Sequence, residues 1–311
     1  PPLFGKTVLG LDPGYRTGCK YALVDPTGKV LKTGVLFITH SGAQRAAAME
    51  TVLSMARDTP LEVIAIGNGT ASRETEVFVS EAVAHADREL SYMVVSEAGA
   101  SVYSASKLAA AEFPQLDVSL RSAVSIARRL QDPLAELVKV EPKAIGVGQY
   151  QHDMPQAQLD KALAGVVEQC VNSVGAQLNT ASAPLLSYIA GIGPSLAANI
   201  VAYREENGVF TTRESLLKVP NLGKKAYEQC AGFLRVAESA NALDSTGVHP
   251  ESYAAAKALL KLFDFTAADT GSDKLAGLGD LLEQYGYQKA AALLSVGVPT
   301  LRDIIKELKN P

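Results

Sequence analysis

Three hundred and eleven residues suffice for two domains or more and for a sizeable buried core. Twenty-nine Lys and Arg against thirty-three Asp and Glu leave a net charge of −4, which excludes a general polycation. Any nucleic-acid binding must therefore come from local patches and geometry. Cys19, Cys170 and Cys230 are odd in number and lack CxxC spacing, and His40, His85, His152 and His249 are scattered, so neither a disulfide framework nor a metal cluster is indicated. No apolar run reaches the roughly 18 residues of a membrane span, and no signal-peptide pattern opens the chain, which reads as cytoplasmic. Pro1-Pro2 and Asn310-Pro311 read as the ends of a piece cut from something larger.

In chain order, KTVLGLD, CKYALVD and VLKTGVLF, within residues 6 to 37, are three strands joined by short turns, an antiparallel meander. SGAQRAAAMETVLSMARD follows with a Ser start and helical spacing that puts Ala47, Val52, Met55 and Ala56 on the apolar side. LEVIAIG, 61 to 67, is a nearly continuous apolar strand, the mark of a strand covered on both faces. A helix over about Glu74 to Arg88, the strand YMVVSE and a helix through RSAVSIARRL complete a mixed five-stranded sheet with helices on both faces. Arg128-Arg129 read as a solvated face, and the polar cluster GVGQYQHDMP as a hydrogen-bonded hinge, with a functional His152-Asp153 pair as the alternative.

After Gln149 the chain turns nearly all helical. Leu159, Leu163, Val166, Cys170, Val174 and Leu178 recur at three- and four-residue steps, predicting one long connector helix. Then a pattern repeats about thirty residues apart: LLSYIAGIGPSLAANIV and SLLKVPNLGKKAYEQCA. Each is a short helix, a tight glycine turn and a second helix. Gly191-Ile192-Gly193 aligns with Asn221-Leu222-Gly223, with Asn standing where the backbone needs positive φ. Ile192 and Leu222 would plug the angle between the helices, while Ala197 and Ala226 permit close approach. A hairpin of this kind presents backbone N–H groups where a helix begins, which favours an anion. Lys224 and Lys225 reinforce the second copy; Pro194-Ser195 gives the first only N–H and hydroxyl donors. A β-branched residue at Gly193 is expected to block both the turn and the approach of phosphate. The alternative is an αα-hairpin that merely packs, since glycine at a helix end is ordinary. A third glycine pair, Gly277-Leu278-Gly279, precedes Asp280 and Glu283, acids that would repel phosphate, and reads as a packing turn.

The paired pattern resembles the tandem helix-hairpin-helix of bacterial DNA-binding proteins, which grips duplex phosphates without reading bases. VLGLDPGYRTGCKYALVD resembles the first hairpin of the YqgF and RuvC branch of ribonuclease-H-like folds. That resemblance implies divalent cations held between carboxylates for phosphodiester cleavage. Asp12 matches the first acid, and Glu97 in VVSEAGAS matches an acid after the fifth strand. Gly67 and Asn68 stand where the fourth strand should end in an acid. Leu120-Arg121-Ser122 stands where the last acid should head the final helix, and Arg121 would oppose a cation there. Asp117 and Asp132 would substitute only if that helix were shifted. Two carboxylates alone bind magnesium weakly, because hard cations need several oxygens. The loop GNGTASRE can cradle a phosphate or be an ordinary turn capped by Ser or Thr.

Together these parts, with IGVGQYQHDM between them, resemble the Tex family of bacterial transcription accessory proteins. In that family a helical N-terminal region and a C-terminal OB-type RNA-binding domain flank this portion. The expected fold is multidomain: an α/β ribonuclease-H-like domain over 1–150, a connector helix over 151–182, an all-α tandem helix-hairpin-helix over 183–240 and a further helical domain over 241–311. The resemblance implies a nucleic-acid-binding part of a transcription accessory factor, with DNA or RNA and the RNA polymerase complex as partners, no membrane and no cofactor. One alternative is a metal-dependent nuclease using Asp12, Glu97 and Mg2+; another is a protein–protein module in which the hairpins dock a partner.

Overall fold

The computed structural model describes residues 2–309; Pro1, Asn310 and Pro311, read above as cut ends, lie outside the described residues. The chain divides into two compact units, residues 1–164 and 165–311.

In the first unit, β1 (Thr7–Asp12), β2 (Cys19–Val24) and β3 (Val30–Leu36) form the expected meander. Helix α1 (Gly42–Asp58), β4 (Leu61–Gly67), α2 (Ser72–His85) and β5 (Ser91–Val95) follow. The sheet runs β3-β2-β1-β4-β5, antiparallel through β1 and parallel from β1 to β5. Side chains alternate across it. Leu9, Leu11, Ile64 and Ile66 pack with Val52, Met55 and Phe78 of α1 and α2. Val8, Ala22, Val63 and Ala65 pack with Ala123, Val124 and Ala127 of a helix on the other face. That helix, α5 (Val118–Gln131), is reached through α3 (Ala100–Ser104) and α4 (Lys107–Glu112), and α6 (Pro133–Leu137) and α7 (Pro142–Ile145) follow it.

Several local expectations shift. Ser41 caps α1 in a capping box with Gln44, and the buried stripe is Ala48, Val52, Met55 and Ala56; Ala47, one residue earlier, is exposed because one residue turns the helix by about 100°. Neither Thr70 nor Ser72 caps α2. Ala71 does the turning at φ +66 with no side-chain cap, so the helix starts two residues before Glu74 and ends at His85. Arg128 and Arg129 are not a solvated face. Arg128 donates to the Gly28 carbonyl at 2.7 Å, pairs with Glu112 and lies over the Phe113 ring. Arg129, 5% exposed, donates to the carbonyls of Ser96 and Ala98. In the segment 146–155 the hydrogen bonds fall to Gln151, which accepts from Val147 N–H and donates to the Lys143 carbonyl, while His152 and Asp153 are exposed.

Helix α8 (Gln156–Val174) stops short of Leu178, because Gly175 at φ +79 ends it. Of the expected stripe, Leu159 is buried but Val166, Cys170 and Val174 are exposed, and Val171 is the deeply buried residue of the last turns.

In the second unit, β6 (Ala176–Gln177) precedes α9 (Ala183–Leu186), α10 (Pro194–Asn207), a 3-10 turn (Arg213–Lys218) and α11 (Lys224–Cys230). Strand β7 (Leu234–Arg235) pairs in parallel with β6. Then come α12 (Tyr253–Leu262), α13 (Leu278–Tyr285), α14 (Tyr287–Leu293) and α15 (Val298–Lys309), around Leu259, Leu278, Leu282, Leu301 and Ile304. Arg213 joins the hairpin region to this core. It is 1% exposed and donates to the carbonyls of Leu234, Asp244, Thr246 and Val248 and to the Tyr253 hydroxyl. A buried guanidinium satisfied this fully fixes every segment it touches.

One strand glycine sets the position of α5. A Cβ at Gly10 would stand 2.3 Å from the Ala123 carbonyl and 2.7 Å from the Ala127 nitrogen, both backbone. Gly10→Ala is expected to cost about 1–3 kcal/mol, the usual overpacking penalty, and to lower the urea midpoint with the m value unchanged.

Candidate functional site

The two glycine turns have the same geometry. Gly191 and Asn221 adopt φ +81 and +66, so Asn221 holds the left-handed conformation that its alignment with Gly191 requires. Gly193 and Gly223 begin α10 and α11 at φ −83, ψ 169 and φ −83, ψ 171, with no side chain capping either. Ile192 and Leu222 are buried, 4% and 5% exposed, as plugs of the hairpins should be; of the two alanines expected to permit close approach, Ala197 is fully buried and Ala226 only half-buried. Around them Gly193, Pro194, Ser195, Gly223, Lys224 and Lys225 are all exposed, and a Cβ at either Gly193 or Gly223 would meet nothing within 4 Å.

Each second helix leans on the other hairpin's turn. Asn199 of α10 donates to the Pro220 carbonyl at 3.1 Å. Gln229 of α11, thirty residues later, abuts Gly191, where a Cβ would come within 2.7 Å of its own Cβ. This reciprocity places the two turns as equivalents. Asn172 of α8 steadies the first by donating to the Tyr188 carbonyl at 2.8 Å. Gly193 itself has ordinary extended backbone, so the expectation that a β-branched residue would break its turn is corrected: Gly191 and Asn221 carry the conformational demand. Gly277 has a different geometry, φ −82 and ψ 0.

The ends of β1, β4 and β5 gather the acids. Gly67 pairs with Val95, and Glu97 lies two residues past β5. Its carboxylate fills the space where side chains at Gly67 and Gly69 would be, 1.8 Å from a Cβ at Gly69, and it accepts from the Gly69 N–H. The Asn68 side chain accepts from the Glu97 N–H at 3.0 Å, pinning the loop. Glu97 feels the Asp12 charge, and Asp12 accepts from the Ser122 hydroxyl. Arg121 does not enter this site. It donates to the carbonyls of Phe113 and Ser104, because α5 begins at Val118 and turns Ser122 toward Asp12. Asp117 caps α5, its Oδ1 accepting from Ser119 N–H, Ser119 hydroxyl and Leu120 N–H, and Asp132 caps α6.

Two carboxylates, a serine and an asparagine form a poor cage for a divalent cation, and among the described residues no group of three or more His, Cys, Asp or Glu could hold one. Burial, then the neighbouring acid, push Glu97 above the usual carboxylate range. Burial also pushes Asp12 up, against the Ser122 hydroxyl and the Lys20 charge. Ser122 and the buried Arg129 are not legible as site residues in the sequence; the signal that could have pointed to them is a glycine inside a strand, Gly10, which can mark the close approach of another backbone.

A carboxyl whose pKa rises on folding stabilises fully below its unfolded pKa and loses that contribution as pH climbs through the folded value. Asp12→Asn removes the loss while keeping an acceptor for Ser122. The variant is expected to melt above the parent at pH 7. The two melting curves should converge below about pH 4 in scanning calorimetry.

Residues 6–131 match the model of the Tex protein YqgF-like domain, 171–235 a helix-hairpin-helix motif and 241–311 an HHH domain. "Protein tex" of Bordetella pertussis is 51% identical over 311 residues, all of this chain and 39% of that protein. "Transcriptional accessory protein Tex" of Neisseria gonorrhoeae is 53% identical over 308 residues, 98% of this chain and 39% of that protein. The human "S1 RNA-binding domain-containing protein 1" is 40% identical over 362 aligned positions, all of this chain and 36% of that protein. The chain thus spans about two fifths of the length of the curated relatives it matches. With a Tex-type YqgF-like domain followed by two helix-hairpin-helix domains, and that identity throughout, the chain belongs to the Tex family.

Proposed function

We propose that this chain is a nucleic-acid-binding part of a transcription accessory protein, gripping the phosphate backbone without reading bases. The observation that carries the reading is the pair of equivalent turns at Gly193 and Gly223: uncapped, exposed, open in front and locked to each other. First-turn amides without intrahelical partners suit phosphate oxygens, and Lys224 and Lys225 add charge at the second turn. The helix-hairpin-helix match and the relative named a transcriptional accessory protein support it, and the latter suggests the polymerase complex as a partner. In this reading 183–240 makes the phosphate contacts, 151–182 connects, 241–311 braces them and 1–150 is a degenerate nuclease-like scaffold that works without a cofactor. No helix among the described residues is long and apolar enough to cross a membrane.

Few contacts, mostly from backbone N–H, give weak and sequence-tolerant affinity with a salt slope of about two to four in magnitude. Replacing Lys224 and Lys225 together by Ala should weaken binding equally on unrelated sequences and lower the slope by about one to two, read by fluorescence anisotropy at several salt concentrations. Gly193→Val should leave the circular dichroism spectrum intact and weaken binding more per residue. Unchanged binding by a folded Gly193→Val protein would make the first hairpin a packing element.

A second reading, a nuclease of the RuvC and YqgF type, draws on the approach of Glu97 to Asp12. The residues present do not fit the metals that chemistry uses. Incubation with DNA and RNA in magnesium or manganese is expected to yield no cleavage products. Robust cleavage abolished by Asp12→Asn would promote the nuclease.

A further inference from the structure

The turn that leads into α12 is capped by a titratable group. His249 precedes the 3-10 turn Pro250–Ser252, which runs straight into Tyr253, the first residue of α12. Its Nδ1 accepts from the Glu251 N–H at 3.3 Å, and its Nε2 lies 2.9 Å from the Glu228 carbonyl in the last turn of α11. One nitrogen must accept and the other donate, so these bonds assign a neutral ring with its proton on Nε2. Ser, Thr and Asn, the usual neutral caps, accept at any pH; a histidine accepts only while it is neutral.

The same Nδ1 has a second partner within reach, a carboxylate oxygen of Glu251 at 3.5 Å. The two partners exclude each other: the N–H needs a lone pair on Nδ1, and the carboxylate needs a proton there. Protonation would also make Nε2–H a charge-assisted donor to the end of α11, where a cation suits the helix dipole. The charges around the ring are Glu251 on its own turn and Glu228, exposed, on α11. The turn Ala231–Phe233 brings only Gly232, where a Cβ would stand 3.4 Å from the ring's Cδ2. Past Gly247 stand Arg235 and Glu307, 3.8 Å apart. Past Val248 stand Arg213 and Asp244, joined through the Tyr253 hydroxyl. Arg213 thus pins the Val248 carbonyl on one side and Tyr253 on the other, so any rearrangement is confined to residues 249 to 252.

We propose that His249 is a proton-operated cap. Neutral, it holds the turn into α12 by accepting from the Glu251 N–H. Protonated, it gives the same nitrogen to the Glu251 carboxylate, frees that N–H and tightens its bond to the Glu228 carbonyl of α11. The proton moves the hold of one side chain from the start of α12 to the helix of the second hairpin. This device stands apart from the phosphate contacts proposed above.

The test follows the full 15N-labelled chain by NMR from about pH 8 to about pH 5, reading ring nitrogens and amide exchange. At the upper end the His249 ring should carry its proton on Nε2. As the ring takes up a second proton, the protection of the Glu251 amide, corrected for intrinsic exchange, should fall about fivefold, the size of one net hydrogen bond. The Leu259 amide, buried in α12, should not change. His249→Asn keeps a cap acceptor and takes up no proton, so there the Glu251 amide should hold its protection over the whole range. Glu251→Ala removes the carboxylate, so there the loss of protection should move to lower pH. A parent ring protonated on Nδ1 at pH 8, or Glu251 protection that ignores the His249 titration, would overturn the proposal without recourse to a variant. So would a pH dependence that survives in folded His249→Asn, or one that Glu251→Ala leaves in place.

Discussion

The contact between Gly10 and α5 determines what the first unit can display. With no Cβ at Gly10, the backbone of α5 settles directly onto β1, against Ala123 and Ala127. From that seat, one face of the helix lies along the strand ends: Ser122 at Asp12, Ile126 against Gly67, and Arg129 at the loop after β5. A side chain at Gly10 would lift the helix and open all three contacts at once. The meeting of Ser122 with Asp12 and of Arg129 with the loop that carries Glu97 are therefore consequences of one missing methyl group.

Arg213 has the corresponding role in the second unit by the opposite means. Where Gly10 works by absence, Arg213 fills a buried space with donors and meets four carbonyls and a tyrosine hydroxyl. Its N–H also meets Asp244, so the turn that leads into the second hairpin is tied at both main chain and side chain. A glycine turn can offer its amides to a ligand only if its own position is fixed, because mobile donors must be ordered on binding. The mutual contacts of Asn199 and Gln229 fix the two turns against each other, and Arg213 fixes them to the rest.

The sequence made some of this legible and hid the rest for physical reasons. The succession of strands and helices along the chain followed from turn chemistry and apolar runs, both local, whereas the placing of β4 beside β1 is a non-local pairing. The positive φ at Asn221 followed from its alignment with Gly191, because repeats compare like with like. The connector helix misled because spacing says which residues share a face, never whether that face is covered: Val166, Cys170 and Val174 share one and lie exposed. Arg121, Arg128 and Arg129 misled in another way. Charge in a sequence reads as solvent or ligand, yet these guanidiniums meet main-chain carbonyls, partners that no side-chain pattern announces.

At the strand ends two acids, Asp12 and Glu97, stand beside two neutral residues, Asn68 and Ser122, and the four are mutually consistent. Asn68 in the fourth-strand position uses its side chain on the Glu97 backbone, a structural task for which a carboxylate, as acceptor only, would also serve but at the cost of a third negative charge. The Asp12 charge already raises the proton affinity of Glu97, on top of burial. A third acid without a metal would make that repulsion worse, so once a cation ceases to be bound, replacement of neighbouring acids by neutral groups stabilises the fold. Ser122 completes the same logic on α5: a hydroxyl donates to Asp12 where an acid could only repel it. Under the proposed scaffold reading, these neutral partners let the strand ends keep their shape with no cation to hold two carboxylates together.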